Sequence, residues 1–164
     1  NYVIAPAAMA AILQLVGLWL FFQALKIGSA AWFSLRSPWQ QWFLLTAMAS
    51  LGLKYVLQFL SVFPVYQEFA FASRNIIMAY MHLCLLGVLT CFFIALMLHL
   101  KWLDESGFTK FGSTFFLLGF FATEMLLALS GMGWVHLPEL LLLFSAVMAA
   151  GMLLLLVGSL RIGK

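Results

Sequence analysis

The residues Ser73–Leu100, SRNIIMAYMHLCLLGVLTCFFIALMLHL, decide the fold. From Ile76 to Leu98 they contain no proline and no acidic or basic side chain except His82. At about 1.5 Å of rise per residue, such a run is long enough to cross the ~30 Å hydrocarbon core of a bilayer as one helix. Four further runs are of the same kind: Val3–Leu25, Gln41–Val62, Phe111–Gly131 and Pro138–Gly158. The whole chain is 66% hydrophobic and 8% charged over 164 residues. A water-soluble protein of that composition would lack polar residues to cover its surface. The expected fold class is therefore an all-α integral membrane protein, a single domain over residues 1–164 built as a bundle of five transmembrane helices.

Punctuation agrees with these limits. Pro38 precedes the second span and Pro64 follows it. Ser73 suits the N-cap of the third and Pro138 the first turn of the fifth. The first apolar run begins at Val3 with no initiator Met and no basic segment before it, as expected of the C-terminal part of a longer chain.

Orientation follows from the basic residues of the short loops. Lys26, Arg36, Lys101, Lys110, Arg161 and Lys164 fall on one side and Arg74 alone on the other. The excess marks the cytoplasmic side, which puts the N-terminus outside and the C-terminus in the cytoplasm. Trp39, Trp42, Trp102 and Trp134 then stand at span ends, where indole rings anchor in the headgroup region. Close helix packing is expected at small residues four apart: Ala7 with Ala11, Ser145 with Ala149, and Ala146 with Ala150.

The net charge of +3 comes from scattered residues, which is no nucleic-acid signature. Cys84 and Cys91 lie seven apart on one helix, about 10.5 Å along its axis, too far to pair. They read as small packing residues.

Lys54, His82 and Glu124 are acidic or basic side chains set well inside the spans, away from their ends. Counted from the outer span ends, His82 lies about nine residues deep, Lys54 about eight and Glu124 about seven, one layer to within a helical turn. Gln14 falls at a similar depth in the first span and Ser145 in the fifth, and Gln58 lies one turn from Lys54. Ionisable groups in a membrane are costly and commonly mark a functional site. The residues themselves leave three readings open. Lys54 and Glu124 can neutralise each other as a buried pair, with Gln14 and Gln58 satisfying remaining groups. His82 can be a packing residue or a metal ligand. The Lys54–His82–Glu124 network can also relay protons, serve transport or be purely structural in a haem-free subunit, although no internal repeat or broken helix supports a transporter. His99 and His136 read as boundary residues.

At the third span, Ala79-Tyr80-Met81-His82-Leu83-Cys84-Leu85, running on through Gly87, resembles the tenth helix of subunit I of the haem-copper oxidases. Leu118-Gly119-Phe120-Phe121 followed by Leu129-Ser130-Gly131-Met132 resembles that family's eleventh helix. The five spans would then be its eighth to twelfth helices. The resemblance implies a haem-binding, or degenerate and formerly haem-binding, membrane electron-transfer subunit of a bacterial inner membrane, with His82 as an axial ligand of a low-spin haem b and Tyr80 where the family has its high-spin haem ligand. It implies a second axial ligand from upstream helices or from another membrane subunit. Gly133 and Trp134 stand where the family carries paired arginines for the haem propionates, and the acidic and histidine metal ligands expected before the tenth helix are missing from Phe71 to Met78. These departures argue against oxygen reduction by this chain on its own.

Overall fold

In the computed structural model, residues 4–27 and 37–160 are described, without the side chains of 4–8, 11, 24, 25 and 27. These residues are helical apart from short connections, and no strand occurs among them. The helices are α1 (Ile4–Ile27), α2 (Pro38–Leu60), α3 (Pro64–Ala72), α4 (Arg74–His99), α5 (Gly107–Gly131) and α6 (Pro138–Leu160). Helices α2, α4, α5 and α6 are each long and apolar enough to cross a membrane; in α1 the fully described apolar stretch is Ile12–Gln23.

Local chemistry accounts for the ends. Pro38 opens α2 after extended Ser37, a position where its missing N–H costs nothing. The Ser106 side chain caps α5 by accepting from the Thr109 N–H, so α5 begins one turn before the expected Phe111. Ser73 does occupy the N-cap of α4 with extended backbone, but its hydroxyl makes no capping bond. After α5, Gly133 takes a left-handed φ of 75° and lets the Trp134 N–H return to the Leu129 carbonyl. Pro64, expected only to follow a span, is the first residue of the short helix α3.

Between Leu83 and Thr90 the backbone of α4 widens into a π-helix. The Thr90 hydroxyl donates to the Leu85 carbonyl five residues back, matching the wider turn. This widening starts directly after His82, and such segments recur at functional sites.

The most extensive interface is α5 against α6. They run antiparallel, with Gly112 against Gly151, Gly119 against Met148 and Gly158 against Thr109. A Cβ on Gly151 would stand 2.5 Å from the Phe116 backbone nitrogen, so these helices touch backbone to backbone. The small-residue pairs expected to do this in α6 do not: Ala146, Ala149 and Ala150 are exposed, and Ser145 turns its hydroxyl back to Leu141. Ala7 and Ala11 fall among the side chains outside the description.

Helices α2, α4 and α5 meet around Phe43, Ala47, Cys91, Ile94, Ala95, Leu98 and Phe116, a core toward the end where α2 begins and α4 ends (the core end). Cys91 is buried there and Cys84 half-buried, both as free thiols. The polarity is that of a bundle in lipid. Thr109, Ser113 and Thr123 are fully buried, whereas Leu142, Leu153, Phe121 and Met125 face outward. Hydroxyls inside and large apolar side chains outside suit a solvent that is itself hydrocarbon. Trp42 and Trp102 at the core end and Trp134 at the opposite end are exposed, as interfacial anchors should be. Of the residues used for orientation, Lys26, Arg74, Lys101 and Lys110 are exposed, while Arg36, Arg161 and Lys164 lie outside the described residues.

Candidate functional site

Three contacts set the register of α4 on α5. Ile76 lies against Gly131, His82 against Glu124 and Gly87 against Phe120. Each step of five or six residues along α4 is matched by a return of four to seven along α5, as antiparallel helices require. Phe43 and Ala47 share a core with Cys91, Ile94 and Leu98, and Ser50 meets Gly87, so α2 also runs antiparallel to α4. Lys54 is four residues beyond Ser50 and Leu83 is four before Gly87. Lys54, His82 and Glu124 therefore do share one level.

Level does not make contact. The Nδ1 atom of His82 stands 3.9 Å from Oε1 of Glu124, and their side chains are 34% and 18% exposed. Both atoms are buried and have no hydrogen-bond partner. Thr123, next to Glu124, gives its hydroxyl to the Gly119 and Phe120 carbonyls at 2.9 Å and is not available to the carboxylate. The expected partner, Lys54, lies elsewhere: its Nζ sits 4.8 Å from the centre of the Tyr55 ring. The reason is helix divergence. α2 packs on α4 from Leu83 onward, and in its final turns Leu53, Val56, Leu57 and Phe59 are exposed while Lys54, Tyr55 and Gln58 are half-buried. Lys54 reaches the right height on a helix that has already splayed away.

The remaining candidates are dispersed. Gln14 on α1 and Gln58 on α2 each keep a buried side-chain oxygen without a partner. Tyr80 is half-buried and precedes His82 by two residues, about 200° around the helix, so the two point to opposite faces of α4. His99 is exposed at the core end.

His136 is better placed than its loop position suggests. With Asn75, Leu127, Ser130, Leu137, Pro138 and Leu141 it lines a cleft of about 110 Å³ at the end where α4 starts, α5 finishes and α6 starts (the cleft end). Asn75 precedes His82 by two helical turns and Leu127 follows Glu124 by less than one, so the cleft lies above the pair on the same α4–α5 seam. The seven-residue spacing from Asn75 to His82 was the available sequence signal. The contribution of His136 and Ser130 depends on how the α5–α6 turn folds.

The described residues do not complete a haem site. The cleft is smaller than the ~300–1,000 Å³ of ordinary cofactor pockets, and His82 does not line it. His82 is the one imidazole at its level; His99 and His136 lie toward opposite ends. Among the described residues no three His, Cys, Asp or Glu side chains come together as a metal-holding group.

At 3.9 Å the carboxylate and the imidazole are too far apart for a direct hydrogen bond but close enough to pass a proton through one bridging water. Comparison of the chain with protein-family models, curated proteins and solved structures gives no match.

Proposed function

We propose that this chain is a multi-pass membrane protein whose His82–Glu124 pair is an intramembrane proton-exchanging centre. The observation that carries this reading is the pair itself: Nδ1 and Oε1, 3.9 Å apart, buried and without other partners. Two buried polar atoms left this way are costly unless a proton or a water bridges them. Asp, Glu and His side chains are also what proton relays through membrane interiors are built from. The adjoining π-helical segment adds support, because its widened turn sets the direction of the helix just after His82.

In this reading α1 is a fifth span, the N-terminus lies outside and the C-terminus in the cytoplasm, as the six-to-one division of basic residues favours. The likeness to haem-copper oxidase helices favours a bacterial inner membrane and contact with further membrane subunits or upstream helices. The test is proton uptake by proteoliposomes containing the purified chain, driven by a potassium diffusion potential and read with an internal pH dye. Glu124→Gln and His82→Gln should each abolish uptake while leaving thermal unfolding in detergent within a few degrees of the parent. Uptake that survives both substitutions, or is absent from the parent, rejects the reading.

One observation favours a second reading, a haem-binding electron-transfer subunit. A ligating histidine usually turns one ring nitrogen to a carboxylate and leaves the other for the metal. His82 turns Nδ1 toward Glu124 at 3.9 Å, and a third of its side chain is exposed. It would supply one axial position of a haem b, the other coming from another helix. A Soret band with a pyridine haemochrome signal, lost in His82→Ala, would support it; haem-free protein from haem-replete cells would exclude it.

A further inference from the structure

We propose that the cleft lined by Asn75, Ser130 and His136 is the mouth of the water path to the His82–Glu124 pair, and that Leu127 is its gate. The proposal deepens the reading of the pair as a proton-exchanging centre and rests on it.

The two directions from the pair are built differently. Toward the core end, Phe120, Phe116, Phe43 and Cys91 are each at most 1% exposed and close the interior with aromatic rings. The Phe43 and Phe116 ring centres are 6.0 Å apart, and Phe120 also fills the space in front of Gly87. Opening that side would require several packed helices to separate. Toward the cleft end, Leu127 is the cleft-lining residue nearest Glu124 along α5. Leu127 is 1% exposed and forms part of the cleft floor, and Glu124 is three residues below it, about 4.5 Å of helix rise.

The cleft has polar partners for water beside an apolar wall. Three polar residues line it from three parts of the fold: Asn75 from α4, Ser130 from α5 and His136 from the α5–α6 turn. A volume of about 110 Å³ has room for several waters, and a water needs two to four polar partners. Leu137, Pro138 and Leu141 form the apolar wall that confines them. The close approach of Ile76 to Gly131 and the Gly133 turn hold this end of α4 and α5 in place. A change of Leu127 rotamer is then the smallest movement that joins the cleft to the carboxylate. Leucine has alternative staggered side-chain states, and rotamer exchange is a fast, local motion.

The test uses Ag⁺, an ion small enough for a water path, on proteoliposomes carrying the full chain with Cys84→Ala. A Trp134→Cys variant identifies the membrane side that bears the cleft. The Glu124→Cys thiol should react with Ag⁺ severalfold faster from that side than from the other, read as the thiol left for a fluorescent maleimide after detergent solubilisation, with the Cys84→Ala chain giving the Cys91 background. Adding Leu127→Ala should accelerate blocking, and Ser130→Trp should slow it. Leu127→Cys keeps Glu124 and reports the same sidedness if Glu124→Cys fails to fold. Equal or faster blocking from the core side, or a rate indifferent to Leu127→Ala, overturns the proposal. The two readings fail separately. Sided blocking with proton uptake unaffected by Glu124→Gln keeps the path and removes the proton-exchanging function; lost uptake without sidedness does the reverse.

Discussion

Ser50 on α2 stands directly against Gly87 on α4: a Cβ on Gly87 would lie 2.5 Å from the Ser50 hydroxyl. This contact marks where α2 and α4 part. On the core side of it the helices share a packed interior; beyond it Lys54 is carried away from the His82–Glu124 pair, at the same height but on a separate path.

Gly87→Ala should destabilise the bundle by about 1–3 kcal/mol, the usual effect of overpacking an interior. Adding Ser50→Gly should restore part of that loss. The remainder should persist because the Phe120 ring would still stand 2.8 Å from the new methyl group. Thermal unfolding in detergent micelles measures both.

Gly151 and Gly52 should respond in opposite directions to alanine. A Cβ on Gly151 meets backbone atoms, the Phe116 nitrogen at 2.5 Å and the Gly112 carbonyl oxygen at 2.8 Å, so α5 and α6 must separate to admit it. At Gly52 nothing lies within 4 Å. There the better helix propensity of alanine should stabilise by about 0.5–1 kcal/mol. The difference in unfolding temperature between the two variants is the measurement.

A double-mutant cycle identifies the partner of Glu124. The cycle of His82→Gln with Glu124→Gln should show a coupling of about 1 kcal/mol, in the range found for residues in contact. The cycle of Lys54→Met with Glu124→Gln should be additive to within about 0.5 kcal/mol, as for groups with no shared contact. Coupling to Lys54 in place of His82 would show that α2 does not diverge as described.

Neighbouring phenylalanines on α5 should separate core from lipid. Phe116 is fully buried and Phe115 is 40% exposed. Phe116→Ala leaves a cavity between helices, whereas hydrocarbon replaces the ring of Phe115, so Phe116→Ala should cost at least about 2 kcal/mol more. Equal losses by denaturant unfolding would place the core elsewhere.

Much of the scaffold was legible in the residues. The four long apolar runs from Gln41 onward became α2, α4, α5 and α6 with ends displaced by a few residues, because a span's length is set by bilayer thickness and its limits by proline and cap chemistry. The common level of Lys54, His82 and Glu124 followed from counting residues along rigid helices. Pairing within that level was not legible. The Lys54–Glu124 pairing expected from charge is absent in the fold, and His82 takes the place beside Glu124. The π-helical turn after His82 had no marker: no proline, and a single glycine within an apolar run. The close-packing residues were also misread, because Ala146 and Ala150 carry the same four-residue spacing as a true contact but face outward.

By itself the sequence determined the solvent of this protein and the height of each polar group. Partition into hydrocarbon adds over the residues of a run, and height on a helix is a count of rises, so neither depends on neighbours. Only the tertiary structure decided which groups meet. Contact depends on the rotation of each helix about its axis, on where α2 splays from α4 at Ser50 and Gly87, and on how the α5–α6 turn brings His136 over Asn75 and Ser130. Those angles are set by packing between helices, which no single span encodes.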